Sequence, residues 1–68
     1  MTKLAEWMEA NGKDSRRLSA ETGFTHEHID RMADGKLKPG ARFILAFWRT
    51  QQLDIDEVTA ILEREATA

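Results

Sequence analysis

The sequence predicts an all-α fold of five short helices in one domain spanning residues 1–68. Three observations predict it. One proline and four glycines leave long uninterrupted stretches, and none of them alternates apolar and polar residues as a half-buried strand does. Large apolar residues recur at three- and four-residue spacing, the period of a helix face. Residues that start or stop helices stand between those stretches. A chain of 68 residues buries only about 60% of its unfolded surface, so its stability is marginal. With no cysteine, neither a disulfide nor a thiolate-bound zinc can staple it, which leaves dense helix packing and oligomerisation.

The first helix is expected over Lys3–Ala10. Leu4, Trp7 and Met8 share a face there, and Asn11-Gly12 supplies the stop. The second starts near Asp14 or Ser15, either of which can cap free backbone N–H groups, and ends at Gly23. The third is capped by Thr25 and runs to about Ala33, with Ile29 and Met32 inward and Asp34-Gly35 ending it. "KLKPG" follows as a loop, because Pro39 disfavours helix at Lys38.

The fourth helix takes "ARFILAFWRTQQ", where Phe43, Ile44, Phe47 and Trp48 form an apolar stripe. The fifth has the clearest start. Asp54 is the N-cap, Glu57 completes an acidic capping box, and Leu53 and Val58 are placed to close a hydrophobic staple. Ile55, Val58, Ile61 and Leu62 give that helix its stripe. Loops of two to six residues join the five, and the tail "EREATA" is expected to fray.

Charge is unevenly distributed. Lys13 to Arg49 holds eight basic and five acidic residues, a surplus of +3, while the flanks carry −5 and the whole chain −2. A polyanion responds to the local field rather than the total, so this pattern permits nucleic-acid binding without demanding it. The start "MTKLAEWMEANGK" is charged throughout, and the longest apolar run, "FILAFW", is far too short to span a bilayer. The expectation is a cytoplasmic protein without a membrane partner.

Residues 15–33 carry the informative constellation. Two short helices are joined by a tight turn that opens with Gly23, and Leu18, Phe24, Ile29 and Met32 are spaced to pack them together. Ser19 is small where the helices must cross closely. The stretch "SRRLSAETGFTHEHIDRMADGKLKP" resembles the helix-turn-helix of phage repressor and Cro proteins, the Xre-like family. Ser19, Gly23 and Ile29 stand at that family's small-residue, glycine and isoleucine positions, and "DGKLKP" is similar to its helix-ending glycine, basic loop and proline. Thr22 departs from the pattern, where the family places an apolar residue. With the five-helix layout, the resemblance extends over almost the whole chain and implies a lambda-repressor-like DNA-binding domain.

The resemblance also implies roles. The start of the third helix would enter the major groove, so His26, Glu27 and Arg31, with His28 flanking, correspond to the base-reading positions. Ser15 and Arg16 at the head of the second helix, Thr25, and Lys36 and Lys38 in the following loop correspond to phosphate contacts. Side-chain chemistry is compatible. An arginine such as Arg31 can donate two parallel bonds to guanine O6 and N7, and a carboxylate such as Glu27 can accept from cytosine N4. Glu27 and Arg31 also stand at i, i+4, where they could simply pair with each other.

Metal chemistry is not expected. In "HEH", His26 and His28 point about 200° apart on a helix. His26 and Asp30 at i, i+4 could share an ion, but a zinc site needs about four ligands and no further histidine exists. No phosphate-binding glycine loop or nucleophile elbow is present. Neither an enzyme, nor a cofactor, nor a small-molecule substrate is therefore expected.

Three function classes stay open. One is a Cro-like repressor of phage or prophage type on a palindromic double-stranded DNA operator. Another is a protein-interaction adaptor or antitoxin-like module on the same fold, which the carboxylates Glu27 and Asp30 keep in play. The third is a small structural subunit. A homodimer is expected in the first case, because one helix in one groove makes few contacts and small size favours further burial. The fourth and fifth helices carry more large apolar groups than one inward face needs, so Trp48, Ile55 and Leu62 are the expected interface residues.

Overall fold

Thr2, Asp14, Thr25 and Asp54 each cap the helix that follows them. A computed structural model describes residues 2–62 of the chain. It consists of α1 (Lys3–Ala10), α2 (Ser15–Thr22), α3 (His26–Ala33), α4 (Ala41–Gln51) and α5 (Ile55–Leu62). Each of the four capping side chains accepts a backbone N–H that the first turn cannot satisfy by itself. At α5 the box is reciprocal. The Glu57 N–H donates to Asp54 Oδ1 at 2.9 Å, and the Asp54 N–H donates to Glu57 Oε1 at 3.3 Å. Asp14, not Ser15, caps α2. The tail "EREATA" lies outside the described residues.

Glycine ends α1 and α3 in one manner. After α3, the Gly35 N–H donates to the Met32 carbonyl and the Lys36 N–H to the Arg31 carbonyl, with Gly35 at φ +80°. The Gly12 and Lys13 N–H groups do the same for Glu9 and Met8 after α1. Both are Schellman motifs, which require a left-handed residue just past the helix. The connection from α3 to α4 runs from residue 34 to 40, between the helix ends expected at Ala33 and Ala41, and at seven residues it exceeds the expected range of two to six.

One core draws on all five helices. Leu4 and Met8, Leu18, Ile29 and Met32, Phe43 and Phe47, and Val58 and Leu62 are buried together. Each such side chain contributes about 1.5–3 kcal/mol when fully buried. Aromatic rings organise its centre. Trp7 meets Phe47 edge-on at 4.9 Å, Phe24 meets Phe43 edge-on at 5.2 Å, and Phe43 stacks on Phe47. Thr2 ties two elements together as well: its hydroxyl donates to the Ala33 carbonyl at 2.6 Å, joining the start of α1 to the end of α3.

One expected assignment is corrected: Leu62, expected at an interface, is a core residue at 5% exposure, one turn from Val58 on the buried side of α5. Trp48 and Ile55, the other two residues expected there, are exposed, as is Leu45. The reason is angular. A helix packed on one side buries a stripe of limited width, and on α4 Phe43 and Phe47 occupy it. Among the described residues, no helix is long and apolar enough to cross a membrane.

Candidate nucleic-acid interface

The segment between α2 and α3 is set by Gly23, which is left-handed at φ 86° and ψ 2°. Its N–H donates to the Ser19 carbonyl at 2.8 Å, closing α2. The turn then exits through Phe24, and α3 starts at His26 after the Thr25 cap. Thr22 has a specific part here. Its hydroxyl donates to the Leu18 carbonyl at 2.8 Å and accepts the Phe24 N–H at 3.4 Å. A polar residue is therefore satisfied at a half-buried position where the resembled family has an apolar one. Leu18 and Ile29, both fully buried, lie across the helix pair, and α2 and α3 pack more extensively than any other two helices.

Burial of Ile29 and Met32 fixes which way α3 faces. Glu27, His28, Asp30, Arg31 and Asp34 are left on the exposed side. The His28 ring leans on Phe24, with centroids 5.4 Å apart. His26 sits nearer the packed side than the others, half-buried, with Nδ1 4.0 Å from Asp30 Oδ2. The suspected Glu27–Arg31 pair is not formed: among the described residues, Arg31 makes no ion pair within the chain. Its five guanidinium donors therefore face outward without an acidic partner.

The expected phosphate-contact residues flank this face in sequence and are open to solvent in varying degree. Arg16, Thr25, Lys36 and Lys38 are exposed, and Ser15 is half-buried as the first residue of α2. With the cap at Asp14, the Ser15 hydroxyl is not needed to start the helix. Thr25 uses its oxygen to accept the His28 N–H and keeps its hydroxyl proton to donate.

Two cations of the basic segment are committed elsewhere. Lys13 donates to Glu21 Oε1 at 2.7 Å and to Gln51 Oε1. Gln51 Nε2 donates to Glu21 Oε1 at 3.0 Å, and Arg17 Nε to Glu21 Oε2 at 3.3 Å. This cluster latches the α1–α2 loop and α2 to the end of α4. The Lys13 ammonium, then the Gln51 amide and the Arg17 guanidinium, pull the Glu21 carboxyl from 4.5 down to about 2. The latch is only partly marked in the sequence. Arg17–Glu21 at i, i+4 was readable in principle, whereas Gln51 is thirty residues from Glu21 and only packing of α4 on α2 brings it near.

The exposed face of α3 is itself acidic, with Glu27, Asp30 and Asp34 against Arg31; Lys36 and Lys38 in the next loop offset it. Among the described residues, no three of His, Cys, Asp and Glu converge as metal ligands would. The chain matches no family model, no curated protein sequence and no solved structure.

Proposed function

We propose that the protein is a sequence-specific DNA-binding regulator of lambda-repressor-like helix-turn-helix type, Cro-like in size, acting in the cytoplasm as a repressor on a palindromic operator. One observation carries the reading. The left-handed turn at Gly23 and the buried Leu18 and Ile29 hold α3 on α2 so that Arg31 and Glu27 project from one exposed face, not paired with each other. In the proposed complex α3 lies in the major groove. Arg31 donates to guanine and Glu27 accepts from cytosine N4, with His26 and His28 on the flanks of the same contact. Ser15 and Arg16 meet one phosphate at the head of α2; Thr25, Lys36 and Lys38 hold the backbone on the other side. Phosphate contacts position the helix and base contacts choose the site.

The acidic side chains Asp30 and Asp34 on the same face favour a second reading, an adaptor that presents α3 to a basic protein surface. Selection of bound sequences from a random duplex pool separates the two. The DNA reading expects an enriched palindromic site and a discrete mobility-shift complex. With Arg16, Lys36 and Lys38 neutralising three phosphates per subunit, log K should fall against log salt with a slope of about −2.7 per subunit bound. Failure to enrich any sequence overturns the regulator and leaves the adaptor.

A further inference from the structure

We infer that the outward face of α4, together with the start of α5, is a self-complementary surface that takes a second copy of this chain. Ala41, Ile44, Leu45, Trp48 and Ile55 line one groove. Leu45, Trp48 and Ile55 are 48%, 41% and 57% exposed, the large apolar side chains left outside the core. On α4 the first four follow i, i+3, i+4, i+7 spacing, a straight stripe along the helix. A contiguous exposed apolar patch with a polar rim marks an interaction site. The groove offers almost no polar group that could orient a small ligand, which such sites need.

Charge identifies the occupant. The α4 side of the groove carries Arg42 and Arg49 and no acid. The α5 side carries Asp54, Asp56 and Glu57, and α5 contains no base. Among the described residues, neither Arg42, Arg49 nor Asp56 makes an ion pair within the chain. A surface basic on one side, apolar in the middle and acidic on the other matches itself after a two-fold rotation, with α4 of each copy over α5 of its partner. In an isologous interface every such contact occurs twice. The alternative two-fold arrangement, α4 on α4, would set arginine against arginine. Leu62 takes no part, being in the core.

The arrangement leaves α3 free, because α3 packs on α1 and α2 and not on α4 or α5. A pair joined this way keeps both α3 helices open to the two half-sites of a palindrome; that point rests on the proposed DNA-binding function, whereas the self-association itself does not. The apolar centre is small against the roughly 800 Å² per partner of a stable interface, so association in free solution should be weak.

The test is sedimentation of the full chain without DNA, from micromolar to millimolar concentration. The wild type should show a concentration-dependent monomer–dimer equilibrium. Ile55→Glu should weaken it at least tenfold while folding normally, since the position is exposed and acidic residues suit the first turn of a helix. Arg49→Glu and Asp56→Lys should each weaken it several-fold. Their equimolar mixture should regain wild-type affinity, because the heterodimer restores opposite charges at both copies of the contact. Circular dichroism checks that each variant folds. A wild type that stays monomeric at millimolar concentration overturns the inference, as does a charge-reversed mixture no tighter than its components. Dimerisation together with failure to select any DNA would sink the regulator and leave this surface standing.

Discussion

Replacing Gly23 with alanine isolates the conformational cost of the turn that positions α3. Gly23 is left-handed at φ 86° and ψ 2°. A Cβ built on it meets no atom within 4 Å. The added methyl therefore creates no clash, and the whole penalty is the backbone's. For an L-residue in this region it amounts to about 1–2 kcal/mol. A chain of this size holds roughly 3–10 kcal/mol in total, so the loss is a substantial fraction. Each kcal/mol should lower Tm by about 4–8 °C. Asparagine visits the left-handed region more readily than alanine, so Gly23→Asn should lose less. Urea unfolding followed by circular dichroism measures both, and an unchanged m shows that the denatured state is not what moved. Gly12, at φ +66° and equally open, gives an independent estimate of the same quantity. An alanine variant at Gly23 as stable as wild type would refute the reasoning, and so would equal losses for alanine and asparagine. In either case the α2–α3 turn would not hold the conformation on which the exposed face of α3 depends.

Two further outcomes follow from the site. Arg31→Ala should leave stability unchanged, since Arg31 makes no ion pair within the described chain, and should cost about 1–3 kcal/mol on the selected DNA with relaxed preference at one base pair. Lys38→Ala should weaken all sequences alike, and equal loss of cognate and random binding for Arg31→Ala would reduce Arg31 to a phosphate contact. The Glu21 latch predicts acid sensitivity. Folding lowers its carboxyl from 4.5 to about 2, so the folded state favours the ionised form. The resulting stability is fully present above 4.5 and disappears as pH falls through about 2. Glu21→Gln should flatten the stability profile across that window, and parallel profiles for variant and wild type would show that the latch contributes nothing.

Local signals in the sequence carried most of the helix ends. Thr25, Asp54 and Glu57 make the cap bonds expected of them, and Gly12, Gly23 and Gly35 take the positive φ that ends a helix. These are contacts among residues at most a few positions apart, so spacing alone defines them. The choice of Asp14 over Ser15 as cap was less legible, because either side chain can reach an N–H two or three residues on. The exposed positions of α3 followed from Ile29 and Met32 being its apolar pair.

The sequence by itself determined five helices, where they stop, and which residues of α3 face outward. Tertiary packing decided the rest. An apolar stripe such as Phe43, Ile44, Phe47 and Trp48 is wider than the surface one helix can bury, so the identity of the outward residue depends on which neighbours arrive. Phe43 and Phe47 went inward, and Trp48, Leu45 and Ile55 stayed outside, while Leu62 closed the core. In the same way, Thr2 meeting the Ala33 carbonyl and Lys13 meeting both Glu21 and Gln51 join residues distant in the chain. No periodicity encodes such contacts, because they arise only when whole helices have been brought together by the burial of their apolar faces.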